Sequence, residues 1–174
     1  PEVDYVEVNG PVHAFFKPNE TGFEVQWNFR ILEGERTWDI QKGDPSVVVA
    51  VLDTGIAFED FGPYRKAPDF GGTVFVQGRD IVNGDDHAND DNFHGTHVAS
   101  TIAEATDNRE GVTGLAFRCA LMPVKVLDEN GDGSFFDVAE GIDFAARNAS
   151  VKVINLSLGG DGNSNTVRAG VGRA

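Results

Sequence analysis

The sequence predicts an α/β domain built on a mainly parallel sheet flanked by helices, and two observations carry that prediction. Val47–Leu52, Leu121–Leu127 and Val151–Ser157 are short runs dominated by apolar and β-branched residues, which read as strands. Between each consecutive pair lies a stretch whose apolar residues recur at helical spacing. Strand, helix, strand, helix, strand in that order calls for βαβ crossovers that lay helices over a parallel sheet.

Taken in order, Val47-Val-Val-Ala-Val-Leu52 has no polar position, as a strand covered on both faces requires. Val98, Ala99, Ile102, Ala103 and Ala105 mark the first helix, which follows a Gly-Thr start. Val138, Ala139, Ile142, Ala145 and Ala146 mark the second, with Ser134 or Asp137 as its N-cap. Residues 54–93 are rich in Gly, Pro and Asp and are expected to form long loops around one short strand, Thr73–Val76. At the ends, Val3–Val8 is strand-like, and the segment from Asn165 starts as a helix too short to bury a face.

A length of 174 residues suits one domain. Fourteen basic residues against 28 acidic ones give a formal charge of −14, which repels a phosphate backbone and argues against nucleic acid as a partner. No apolar run approaches the roughly 18–20 residues that cross a bilayer, so no membrane partner is expected. The start, Pro1-Glu-Val-Asp, has no basic, apolar leader. Cys119 is the single cysteine; it excludes an intrachain disulfide and sits in an apolar context that predicts a packed core thiol.

Three places can carry chemistry. Asp53, in Val-Leu-Asp-Thr-Gly-Ile, lies at the carboxyl end of the first strand, the edge where parallel sheets collect catalytic groups. There it can orient an imidazole, or simply close an Asx turn. Asp-Thr-Gly also occurs in aspartic peptidases, but these need a second such carboxylate, and Asp161-Gly-Asn lacks the pattern. His94-Gly-Thr-His97-Val-Ala opens a helix; its two histidines lack the Glu and the third ligand of a zinc site, and His97 alone reads as a core histidine. Asn155-Leu-Ser-Leu-Gly-Gly160 carries a strand into two glycines that permit close backbone approach.

Together these three motifs closely resemble the subtilisin family, in order and at compatible spacing over about residues 18–174; Gly111-Val-Thr-Gly-Leu-Ala and Pro123-Val-Lys-Val-Leu agree as well. The resemblance implies a partial subtilisin-like fold and a secreted serine endopeptidase, made as a zymogen, that acts on protein or peptide substrates. Asp53 would orient the base and His94 would be the general base and acid. The family's serine lies in a downstream Gly-Thr-Ser-Met-Ala-like motif that nothing here matches, and Ser100, on the helix, is poorly placed to replace it. The missing C-terminal part of the catalytic domain is therefore an expected partner. Residues 1–16 resemble the tail of an inhibitory propeptide, the alternative being an ordinary N-terminal extension, with 17–174 as the catalytic portion. The alternative is an inactive calcium-binding or interaction module on the same scaffold.

The resemblance also implies a substrate cleft. Gly131, Gly133 and Phe135 would form one wall, Ser157, Leu158 and Gly159 the other, and Leu127 would line a small subsite. Asp128-Glu-Asn-Gly-Asp-Gly133 begins like an EF-hand loop, but its twelfth position is Ala139 rather than Glu. Calcium is expected elsewhere. Asp80–Asp91 packs five aspartates into twelve residues, a crowd that repels itself unless a cation or water spreads the charge. Family resemblance points there to Asp80, Asp85, Asn89 and the backbone carbonyl of His87. It points to a second site at Asp69 and Asn108.

Overall fold

The computed structural model describes Val3, residues 5–9 and residues 16–174. Four strands form one parallel sheet: β1 (Val48–Asp53), β2 (Arg79–Asp80), β3 (Ala120–Lys125) and β4 (Val151–Asn155), in the spatial order β2-β3-β1-β4. Among the described residues, five α-helices accompany it: α1 (Trp27–Ile31), α2 (Gly34–Ile40), α3 (His94–Ala103), α4 (Phe135–Ala146) and α5 (Asn165–Val171).

All six residues of β1 are buried, as are all six of β3, because both faces of the sheet are covered. The period of two sorts β1 cleanly. Val49 and Val51 pack with Leu121, Phe70 and the Ala99 and Ala103 stripe of α3. Val48, Ala50 and Leu52 pack with Met122, Val124 and the Val138, Ile142 and Ala145 stripe of α4. Cys119 is buried in the first of these layers, as expected. Ser134 caps α4: its hydroxyl accepts from the Asp137 amide while the Asp137 carboxylate accepts from the Ser134 amide, a capping box.

Several expectations change. The strand predicted at Thr73–Val76 is reduced to a bridge between Phe75 and Leu121, and ladder pairing resumes only at Arg79 opposite Val124. The break falls opposite Pro123, which has no N–H to donate. There a Cβ on Gly78 would lie 2.1 Å from the Pro123 carbonyl oxygen, so bare backbone crosses at this point. His97, expected in the core, is exposed, because α3 turns Gly95, Ala99 and Ala103 inward instead. The last segment does bury a face: Gly170 is buried, Val167 packs on the α4 layer, and Arg173 pairs with Asp143. The described part of the predicted Val3–Val8 strand has no strand partner and is exposed.

The short helices α1 and α2 escaped prediction. They hold an aromatic satellite core in which Phe23, Phe29 and Trp38 pack together with Phe16 and Phe117, and the Trp38 indole donates to the Leu115 carbonyl at 2.8 Å. The expected boundary near residue 16 falls beside residues 10–15, which lie outside the described residues. Phe16 itself packs edge-on against Trp38, and its amide donates to Asp39.

Candidate active site

The carboxyl end of β1 and the amino end of α3 meet at Asp53 and His94. Asp53 is completely buried, and its Oδ1 lies 2.7 Å from His94 Nδ1 and accepts from the Thr54 amide at 2.8 Å. With a carboxylate as its neighbour, Nδ1 carries the proton and Nε2 keeps its lone pair. The His94 side chain is 45% exposed, so this second nitrogen belongs to a ring open to solvent. Two glycines make the approach possible. A Cβ on Gly95 would lie 2.1 Å from the Gly55 carbonyl oxygen, and Gly55 itself, at φ +104°, runs against the Asn89 carbonyl.

Asp90 ties the same two elements together from below. Its Oδ1 accepts from the Thr54 hydroxyl and from the Asn92 and Phe93 amides, and its Oδ2 accepts from the amide and hydroxyl of Thr96. Burial works against the charge on Asp90, but these donors prevail and hold its pKa below the usual carboxylate value. Asp90 thus satisfies the start of α3, where the N-cap residue Phe93 offers no side-chain bond. Sequence reasoning missed Asp90, whose only signal was its place in the acidic loop just before His94.

The predicted cleft residues gather on the same edge of the sheet. Leu127 and Leu158 are partly buried against the α4 layer. Phe135 is 43% exposed, and a Cβ on Gly160 would stand 3.9 Å from its ring, so the two walls approach each other. Gly159 faces open space and Gly131, at φ +82°, sits in a turn beside Asn92. Ser157 is exposed and accepts from the Asn155 side chain. The bare Cα of Gly133 also allows a close approach to the chain's own Val126 carbonyl, where a Cβ would lie 2.3 Å away. Asp128 turns its carboxylate onto the Asn130 and Asp132 amides, closing an Asx turn.

In the acidic loop, Asp80 is buried and accepts from both the amide and the side chain of Asn83; it also bridges Asp85 through the backbone. Asp85 accepts from the His87 amide, and the His87 carbonyl accepts from the Asn89 amide. Asn89 is 2% exposed, and its Oδ1 has no hydrogen-bond partner among the described residues. A buried, unpartnered oxygen among carboxylates and carbonyls fits a hard cation. Sequence reasoning missed Glu59, which reaches from a distant loop to accept from both His87 Nδ1 and Asn89 Nδ2 at 2.9 Å.

At the second predicted site, Asp69 is buried and accepts from the Asn108 side chain at 2.7 Å and from the Val112 amide. Glu20, also missed, is buried on the other side of this turn and accepts from the Asn108 amide and the Thr113 hydroxyl. Glu104 adds a third carboxyl; burial, with Asp69 alongside, raises it to about 7. Among the described residues, no three His, Cys, Asp or Glu side chains are grouped to hold a metal by themselves, so backbone and amide oxygens would have to complete either site.

Comparisons with known proteins identify the family. The chain is 36% identical over 175 residues to a thermophilic serine proteinase of Bacillus sp. strain AK1, covering 100% of this chain and 41% of that protein. It is 35% identical over 201 residues to an extracellular protease of Xanthomonas campestris pv. campestris, covering 95% of this chain and 34% of that protein. A solved protease structure from Pseudoalteromonas arctica superposes with a TM-score of 0.78 at 31% identity, covering 90% of this chain and 55% of that one. The chain thus spans about a third to a half of the length of these relatives. With the Subtilase family matching residues 44–173, the chain belongs to the subtilases.

Proposed function

We propose that this chain supplies the carboxylate and the base of a serine endopeptidase whose serine comes from sequence outside residues 1–174. The observation that carries this reading is the 2.7 Å contact between the buried Asp53 and the open His94 ring at the carboxyl edge of the sheet. Asp53 fixes the ring's tautomer and stabilises the imidazolium that forms when Nε2 takes a proton from the serine. His94 then returns that proton to the leaving amine, and an acyl-enzyme is hydrolysed by the same steps with water.

All six serines of the chain lie among the described residues, and there none is hydrogen-bonded to His94. The Ser100 hydroxyl is engaged by Glu104 and the Ser157 hydroxyl by Asn155. β4 is an edge strand with Val153 half exposed, which suits a sheet that continues into the part carrying the nucleophile. Secretion is part of the same reading, because one relative is named an extracellular protease. Among the described residues, no helix is long and apolar enough to cross a membrane.

An extended peptide would lie between Gly131–Ser134 and Ser157–Gly159, with Leu127 lining a small subsite and Phe135 offering an apolar wall to a residue further upstream. Calcium would be held by Asp80, Asp85, Asn89 and the His87 carbonyl, and at a second site by Asp69, Asn108 and Glu20. Its part is structural: it neutralises carboxylates that otherwise repel one another beside the active-site loop.

Three outcomes are expected in the protease that includes this chain. His94→Ala should lower kcat by about 10⁴-fold or more, the scale of losing a general base, and Asp53→Ala by a comparable order. Turnover within tenfold of wild type in either variant would refute the assignment. Phe135→Ala should reduce kcat/KM for peptides with a bulky upstream residue while sparing small-residue peptides; equal losses on both would displace Phe135 from the cleft. Chelation should lower the melting temperature and added Ca²⁺ should restore it, whereas an unchanged melting temperature would exclude structural calcium.

A further inference from the structure

Lys125 is a cation in an otherwise apolar run, Leu121-Met-Pro-Val-Lys-Val-Leu127, and it is only 1% exposed. The β1–β3 register pairs it with Asp53, so the two residues end neighbouring strands side by side. A lysine is almost never so buried without partners. Here Nζ donates to the Thr54 carbonyl at 2.8 Å, to the Leu127 carbonyl at 2.8 Å and to Asp91 Oδ1 at 2.6 Å. An ammonium has three protons, and all three are placed.

Each acceptor belongs to a different part of the site. Thr54 follows Asp53 and donates its amide to the Asp53 carboxylate. Asp91 lies in the loop that delivers His94. Leu127 lies just past the end of β3, where it and Val126 both donate amides to the Asp53 carbonyl, at 3.2 and 2.9 Å. A buried ion pair is a poor source of stability, since a well-packed apolar residue of similar volume serves as well or better. What it provides here is direction, because one cation constrains three backbone segments at once.

We infer that Lys125 is a positioning residue that locks the Asp53 strand end, the loop leading to His94 and the Leu127 cleft strand into one unit. Its effect on turnover rests on the endopeptidase reading; its effect on geometry does not. The test therefore uses nuclear magnetic resonance on the full protease that includes this chain, with ¹⁵N-labelled histidine and backbone, comparing wild type with Lys125→Met. Methionine keeps an unbranched apolar stem and removes the charge and all three donors.

In the wild type, the His94 Nδ1–H should give a far-downfield resonance that marks the ring held on Asp53. Lys125→Met should lose or broaden that resonance. It should also speed amide exchange at Val126 and Leu127 at least tenfold beyond any change at Leu52 in the strand core, a difference that general destabilisation would not produce. An intact resonance together with exchange that tracks Leu52 would overturn the inference. If Lys125→Met does not fold, Asp91→Asn decides: it keeps an acceptor and removes the charge, so the same changes should appear at smaller amplitude, and unchanged spectra would overturn the inference. Failure of the endopeptidase reading would leave these spectra as they are.

Discussion

The structure depends on a carboxylate buried without solvent at the end of a strand. Asp53 is completely buried, and an ionised carboxyl in that position is costly unless donors are built around it. The Thr54 amide and the His94 ring supply them on Oδ1, while Oδ2 has no partner among the described residues. Because the amide is local and the ring comes from 41 residues away, satisfying Asp53 fixes the position of α3. Gly55 and Gly95 are consequences of the same requirement, since a Cβ on either would collide with backbone before the ring could arrive.

The remainder of the fold serves that meeting. Alternating residues of β1 bury one face under α3 and the other under α4, so the strand that ends in Asp53 is held from both sides. Asp90 fastens Thr54 to the first turn of α3, and the capping box at Ser134 starts α4 where the proposed cleft wall ends. A parallel sheet brings the ends of β1, β3 and β4 to one edge, which is why Asp53, Leu127 and the Ser157–Gly160 segment lie at the same end of the sheet. Among the described residues the sheet has no further strand on the β4 side, and Val153 remains half exposed.

What could be read from the sequence was local. β1, β3, β4, α3 and α4 follow from apolar periodicity within single segments, whereas Asp53 and His94 are singled out by the resemblance of the motifs around them to the subtilisin family. Thr73–Val76 failed as a strand because its partner contains Pro123, and no reading of residues 73–76 alone contains that fact. His97 failed as a core residue because small residues, rather than the histidine, fill the narrow contact between α3 and β1. Glu20 and Glu59 act through side-chain partners 28–93 residues away in the chain, and such pairs leave no periodic trace. Asp90 joins local partners at Asn92, Phe93 and Thr96 to Thr54, 36 residues away. Lys125 did leave a signal, a lone charge in a run that is otherwise buried, but its three acceptors appear only once the strands are laid side by side.

The central claim is that His94 serves as base to a serine that residues 1–174 do not contain. A radiolabelled, serine-directed phosphonofluoridate, reacted with the active protease and followed by peptide mapping, tests it most directly. The label should sit on one serine outside residues 1–174, and His94→Ala should abolish its uptake. Stoichiometric label on Ser100, Ser157 or any other serine within the chain, or uptake indifferent to His94, would contradict it.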